Sequence, residues 1–380
     1  MASAAEDAAD ASFGGGDVRA AVMHAQRAEL VVEDVDLEDP RAGEVAVRLV
    51  ATGVCHSDHN AVRGSRELKV PMVLGHEGAG VVEAVGAGVQ GVAPGDHVIL
   101  SAIGRCGRCE DCVAGRPWMC SAWGATIFSG TLPDGTTRLS LRGRPVYHFF
   151  AQSSFAERAV VPEGSVVRIR KDVPLEKVAT LACGVTTGLG AVFNAARVGI
   201  GETVAVIGCG GVGASAIVAA GLAQASAIVA IDVAEDKLEF ARSLGATHTV
   251  DASKADPVQR VRELTRGGAD HTFECVGSPA TMAQLVEMVR SGGHGYIVGA
   301  APPGTRFAFP TDGFIRNKHL HGVMQGNVRA TVDIPRYVDL YAKGKLPLDR
   351  LVTRTYPLEG INEAMAALRT SVGRGVVVFG

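Results

Sequence analysis

The sequence predicts an α/β fold in two units, a β-rich, barrel-like domain and a doubly wound domain built on a parallel sheet. Three observations predict it. Size is the first: 380 residues, 47% hydrophobic and 20% charged, exceed what one ordinary core organises and suit two domains. The second is a leading half of short apolar runs broken by Pro, Gly and Asp, as in strands joined by turns. The third is an alternation of strand and helix signals from about residue 202 onward, which implies parallel strands with helices on both faces.

Residues 1–17 are acidic and rich in Ala and Gly, without the basic and apolar regions of a secretory signal. They are expected to form a disordered tail on a cytoplasmic protein. The first domain is expected over 18–183, with strands at Val45–Val50, Gly80–Val85 and His97–Leu100. Within it, residues 101–152 read as a long irregular insertion, a length usually functional or tied by metal, with a lobe at 101–125. The second domain is expected over 184–325. It opens with strand Thr203–Ile207, a glycine turn and an apolar helix over Val212–Leu222. Strand Ala227–Ile231, helix Glu235–Leu244, a strand near Thr247 and helix Val258–Thr265 follow, then strand His271–Cys275, helix Ala280–Val289 and strand Gly295–Val298. Residues 326–380, with helices near Ile334–Tyr341 and Ile361–Leu368 and a strand Gly375–Phe379, are expected to return to the first domain.

A formal net charge of −3 with scattered Lys and Arg gives no footprint for nucleic acid, and no apolar run reaches membrane-spanning length. A small-molecule ligand is the better expectation. The turn Gly208-Cys209-Gly210-Gly211-Val212-Gly213 sits between a predicted strand and a predicted helix. There the glycines permit a tight turn, close approach of a pyrophosphate and helix–strand packing. The helix N-terminus presents N–H groups to the phosphates. Asp232 ends the next strand, where a carboxylate accepts from both ribose hydroxyls and repels a 2′-phosphate, so NAD is expected over NADP. Lys237 is a candidate for the adenosine side.

Of eight cysteines, four lie at positions 106, 109, 112 and 120, too dense for a disulfide framework in a chain this long. Cys106, Cys109, Cys112 and Cys120 can fold around one tetrahedral ion and leave no open position, which defines a structural zinc site. A second set is dispersed: Cys55, His76 and Cys183. Two thiolates and an imidazole leave a fourth position open for water or substrate, the layout of a catalytic zinc. Cys209 and Cys275 read as packing residues of the second domain.

These stretches resemble the zinc-containing medium-chain alcohol dehydrogenases, and more narrowly the long-loop branch that includes liver-type and formaldehyde dehydrogenases. The resemblance is carried by Gly75-His76-Glu77 through Gly86, the four-cysteine lobe, Pro133-Asp134-Gly135 through Phe155, Cys183 through Gly190, the glycine turn and Ile361-Asn362-Glu363-Ala364. Cys2His is the donor set that zinc chemistry already associates with alcohol dehydrogenases. The resemblance implies a GroES-like catalytic domain, a Rossmann cofactor domain, two zinc ions per subunit, NAD, an alcohol or aldehyde substrate and a homodimer joined through the cofactor domains. It further implies that Glu77 is an occasional ligand of the zinc held by Cys55, His76 and Cys183, that Asp58 orients His76, and that Ser57 accepts the substrate proton. Thr187 is implied to lie against the nicotinamide, with Val276 and Val298 packing near it.

Three departures from the family stand out. Asn60 occupies the place of a relay histidine, and His59 beside it points the other way if the segment is extended. A late basic residue that holds the pyrophosphate in relatives falls on Val377, leaving His56 and Arg374 to supply positive charge. The formaldehyde-oxidising branch holds glutathione with an arginine and an acid where this chain has Gly124 and Arg66, so a neutral aliphatic, benzylic or terpenoid alcohol is expected instead. The alternatives are a nicotinoprotein with permanently bound NAD and a thiol-adduct formaldehyde dehydrogenase. A fold relative without catalysis is disfavoured because every zinc ligand and Ser57 are in place.

Overall fold

The computed structural model describes residues 15–380. Most of the expected tail lies outside the described residues, but Gly16 and Asp17 belong to the first strand, Gly16–Met23. That strand closes a small barrel with Val31–Leu37, Leu139–Leu141, Arg144–His148 and Met72–Val73. The expectation of an irregular 101–152 segment is therefore corrected in part, because Leu139–Leu141 and Arg144–His148 are an antiparallel hairpin. Its two-residue turn, Arg142-Gly143, has positive φ at both positions (52° and 73°), the geometry that matches strand twist.

A seven-stranded sheet lies beside the barrel, centred on Glu44–Gly53 with Gly78–Val85 and His97–Leu100 on one side. Arg374–Val378 and Val352–Tyr356 join it on the other side, so the C-terminal segment packs into the first half of the chain. Their placement brings Gly53 opposite Val376 and carries Arg374 toward the site.

The third sheet is six-stranded and parallel, in the order His248–Asp251, Ala227–Asp232, Thr203–Ile207, Ala269–Glu274, Val289–Ile297, His319–Gly322. Helices Gly211–Leu222, Glu235–Ser243, Pro257–Leu264 and Pro279–Met288 provide the crossovers. The first is apolar on all sides and buried from Gly213 to Ala220, as a helix between sheet and neighbouring core must be. Strand order reverses at Thr203–Ile207, which places a crevice at the carboxyl ends of the strands.

One core cluster runs from Ala51, Ala79 and Ile99 of the second sheet through Val178–Val192 to Val204 and Val206 of the third. The two units thus share apolar packing along the cleft between them. Among the described residues no single helix is long and apolar enough to cross a membrane.

Candidate active site

Cys55 ends the loop after Glu44–Gly53 and caps the short helix His56–Val62. His76 and Glu77 precede strand Gly78–Val85, and Cys183 precedes helix Gly184–Gly190. Residues far apart in sequence are thereby gathered: one ligand atom from each of Cys55, His76, Glu77 and Cys183 lies within 4.8 Å of all the others. His76 is wholly buried, and its Nδ1 lies 3.0 Å from Asp58 Oδ1. Asp58 is itself fixed, since its carboxylate accepts from the backbone N–H groups of Cys55 and Gly75, both at 3.1 Å. Burial disfavours charge on the imidazole, but the Asp58 carboxylate outweighs it and raises the His76 pKa well above its ordinary value.

With Nδ1 turned to Asp58, Nε2 is left buried without a hydrogen-bond partner. A buried orphan nitrogen is costly unless something accepts its lone pair, and a cation does so. The thiols agree with that reading. The Cys183 thiol beside Cys55 holds the Cys55 pKa well below the usual value, against burial, while the Cys183 pKa is raised by the same contact. Nitrogen and sulfur donors in a tight, buried cluster suit zinc.

Glu77 departs from a simple ligand. Its Oε1 accepts from the Gly184 N–H at 3.0 Å and its Oε2 pairs with the buried guanidinium of Arg374. Burial pushes the Glu77 pKa up to about 7, with Arg374 pulling the other way. A Cβ at Gly53 would stand 1.9 Å from Glu77 Oε2, and one at Gly211 would stand 2.4 Å from Arg374 Cδ. Arg374 therefore bridges the metal cluster and the glycine turn. Val377 is buried in its strand opposite Thr52, and Arg374, one of the two residues left to supply positive charge, is the one that reaches the turn.

Ser57 Oγ is 3.9 Å from Cys55 Sγ, beside the cluster. The His56–Val62 segment is helical, not extended, so His56 and His59 share a face with ring centroids 6.4 Å apart. His59 is therefore not turned to the opposite side, as an extended strand would turn it. Although His56 is an exposed residue, desolvation of its ring lowers its pKa, and Arg374 and Lys237 add to that shift. Positive groups thus converge at the mouth of the glycine turn.

Gly208 has φ +89°, and a Cβ on Gly213 would lie 1.8 Å from Gly208 O, so turn and helix pack backbone to backbone. Gly210 faces open space, with nothing within 4 Å of a built Cβ, at the N-terminus of Gly211–Leu222. Val212 lies in the first turn of that helix. Asp232 accepts from Cys209 N at 2.8 Å and from Val233 N at 2.8 Å, which clamps the turn to the strand end. Val276 packs over Gly208 and is 52% exposed, leaving an apolar wall uncovered in the crevice. Val298 is half-buried on the next strand end, and Thr187 donates its hydroxyl to Cys183 O at 2.8 Å. Cys209 is fully buried and Cys275 half-buried.

In the lobe, the sulfur atoms of Cys106, Cys109, Cys112 and Cys120 also fall within 4.8 Å of one another. Backbone N–H groups point at sulfur, Cys106 N to Cys120 Sγ at 3.3 Å and Cys109 N to Cys106 Sγ at 3.4 Å. The backbone N–H of Cys112 holds the Cys109 pKa at about 6. Such N–H···S contacts stabilise thiolates and fit a closed, four-sulfur zinc site.

Sequence reasoning missed the aromatic surroundings of His76. Phe150 stacks on its ring at 4.6 Å and Phe149 meets it edge-on at 5.7 Å. The only local signal was two adjacent phenylalanines in a stretch otherwise read as loop.

A Cys2His cluster linked through Arg374 to a dinucleotide-type glycine turn, together with a four-cysteine lobe, defines a zinc-binding dehydrogenase. Residues 41–171 match the alcohol dehydrogenase GroES-like domain and residues 211–343 match the zinc-binding dehydrogenase family. The chain belongs to the zinc-containing alcohol dehydrogenase family. It is 38% identical to an S-(hydroxymethyl)glutathione dehydrogenase of Paracoccus denitrificans over 95% of this chain and 99% of that protein. It is 41% identical to the Haemophilus influenzae enzyme of the same name over 91% of this chain and 93% of that protein. Among solved structures, the benzyl alcohol dehydrogenase of Acinetobacter calcoaceticus superposes with TM-score 0.92 at 37% identity, covering 96% of this chain and 99% of that one. The protein is accordingly a zinc- and NAD-dependent oxidoreductase that interconverts an alcohol and its aldehyde or ketone.

Proposed function

We propose that Cys55, His76 and Cys183 hold the catalytic zinc, that Glu77 stands by as an occasional ligand, and that Cys106, Cys109, Cys112 and Cys120 hold a structural zinc. The observation that carries this reading is the unpartnered Nε2 of buried His76 within the cluster of Cys55, Glu77 and Cys183. Zinc there supplies a Lewis acid that lets an alcohol ionise near neutral pH, and NAD supplies the hydride acceptor. Asp58 keeps His76 in the tautomer that leaves Nε2 free. Ser57 Oγ accepts the substrate proton and passes its own toward the cofactor ribose. Gly208, Gly210, Gly211, Val212 and Gly213 bind the pyrophosphate, aided by His56 and Arg374, with Asp232 at the ribose and Lys237 on the adenosine side. Thr187, Val276 and Val298 wall the nicotinamide and exclude water.

The substrate in this reading is an alcohol or aldehyde rather than a glutathione adduct. Gly124 offers no side chain to hold a carboxylate and has open space around it, and Arg66 carries the wrong sign for the ammonium group of glutathione. The domains run 16–183, 184–325 and 326–380, and the protein is a cytoplasmic homodimer joined through the cofactor domains. Support for the dimer comes from His319–Gly322, the last strand of the six-stranded sheet, whose outer edge has no partner strand among the described residues. The test is metal analysis with NADH formation: two zinc ions per chain and alcohol oxidation are expected, and His76→Ala is expected to lose one zinc and the activity together. Activity surviving in zinc-free His76→Ala protein refutes the assignment, and faster turnover of formaldehyde with glutathione than of any alcohol refutes the substrate.

A further inference from the structure

We propose that the preferred substrate is an aromatic alcohol carrying an oxyanion, of which a carboxylate is the simplest, on the ring end remote from the hydroxyl, and that Arg66 receives it. This rests on the reading that the reacting oxygen is handled at Cys55, His76 and Cys183, and it replaces the neutral alcohol expected from sequence with an anionic one.

Aromatic rings lead outward from the reacting end. Phe150 stacks on His76 at 4.6 Å, Phe128 meets Phe150 edge-on at 5.4 Å, and the guanidinium carbon of Arg66 lies 4.3 Å from the centre of the Phe128 ring. Burial falls along this path, from a His76 with no exposed surface through Phe150 at 8% to Phe128 at 42%. A large exposed ring at the outer end is apolar surface without a cover, and a flat aromatic ligand gains edge and face contacts there that an aliphatic chain does not.

The phenylalanines are held there at a conformational cost. Phe150, Ala151 and Ser153 have φ of +53°, +51° and +59°, a left-handed stretch without glycine. Strain of this kind persists where the surroundings over-determine the backbone, and it gathers at ligand sites.

The outer end is cationic. Arg66 is exposed, its carbonyl is anchored by Gln26 Nε2 at 2.8 Å, and among the described residues its guanidinium has no ion-pair partner. Arg63 and Lys69 are exposed in the same segment and are also without ion pairs among the described residues, against a single acid, Glu67. A guanidinium already seated on a ring face is oriented for a planar oxyanion in a forked contact, and the surrounding positive field favours its arrival.

The experiment compares kcat/KM of the zinc-loaded enzyme with NAD for 4-(hydroxymethyl)benzoate, benzyl alcohol and 1-hexanol at low and high salt. Binding of 4-(hydroxymethyl)benzoate is measured in parallel by calorimetry. The expected order is benzoate, benzyl alcohol, hexanol, with the first preference about fivefold, the upper end for an exposed ion pair, and shrinking with salt. Arg66→Gln is expected to abolish the preference for benzoate over benzyl alcohol through KM and to weaken calorimetric binding to match, and Arg66→Glu to reverse it. A wild-type preference for benzyl alcohol or hexanol, or a ratio unmoved in Arg66→Gln, overturns the proposal while leaving the zinc reading standing. Failure of all three alcohols in fully zinc-loaded protein overturns both.

Discussion

Alanine at two glycines of the same turn separates folding from cofactor binding. Gly210 has φ −69° and no atom within 4 Å of a built Cβ, so Gly210→Ala fits the cofactor-free fold. Losing glycine freedom in the unfolded chain should stabilise by about 0.4–1 kcal/mol, and thermal unfolding should be unchanged or slightly raised. The methyl group nevertheless occupies the space at the helix N-terminus into which a pyrophosphate must come. Losing charged hydrogen bonds worth about 1.5–3 kcal/mol weakens NADH binding about ten- to hundredfold. Gly213→Ala behaves oppositely, because its Cβ would stand 1.8 Å from Gly208 O, a backbone atom that cannot turn aside. Overpacking of this kind costs about 1–3 kcal/mol or more, so the melting temperature should fall with or without cofactor. Thermal melts of the cofactor-free proteins and NADH fluorescence titrations read the two effects. Wild-type NADH affinity in Gly210→Ala would refute the assignment of this turn to the pyrophosphate.

Cys109→Ser should lower zinc content toward one ion per chain, measured by mass spectrometry, and reduce thermal stability by opening the lobe. Asp58→Asn should weaken zinc binding about ten- to hundredfold in chelator competition, because His76 loses the partner that sets its tautomer. Asp232→Ser should raise the KM for NAD and narrow the NAD-over-NADP ratio in steady-state assays, since the repelling carboxylate is gone while a hydroxyl still reaches the turn. His148 carries an acid sensitivity of its own. Burial, with Arg138 adding to it, lowers its pKa to about 3, and Nε2 accepts the Arg138 N–H at 3.0 Å. The unfolded chain then binds the extra proton first, so this contribution is complete above about pH 6.5 and is lost progressively as pH falls toward 3, on the order of 5 kcal/mol in all. Urea titrations across that range should show the loss, and His148→Gln should flatten it.

Legibility in the sequence followed the range of the contacts involved. The four-cysteine lobe and the glycine turn with Asp232 each lie on one loop or one strand–helix–strand unit, so spacing along the chain already states their geometry. The alternation from Thr203 onward reads just as directly, because buried parallel strands and crossover helices differ in period and in β-branched content. By contrast, the 139–148 hairpin hid behind an Arg-Gly turn that lacks the usual Asn-Gly signature. The helix that carries His59 is hidden because the seven residues after Cys55 hold too few apolar positions to reveal it.

By itself, then, the sequence determined which donors and which glycine turn stand as candidates, since chelating side chains and phosphate-binding backbone are local chemistry. Only the tertiary structure decided that Arg374 reaches back across 297 positions to Glu77, that Phe149 and Phe150 close on His76, and that Arg66 stands at the outer end of that ring path. Those contacts join segments through packing between sheets, and no period or spacing in a linear chain encodes which surfaces will meet.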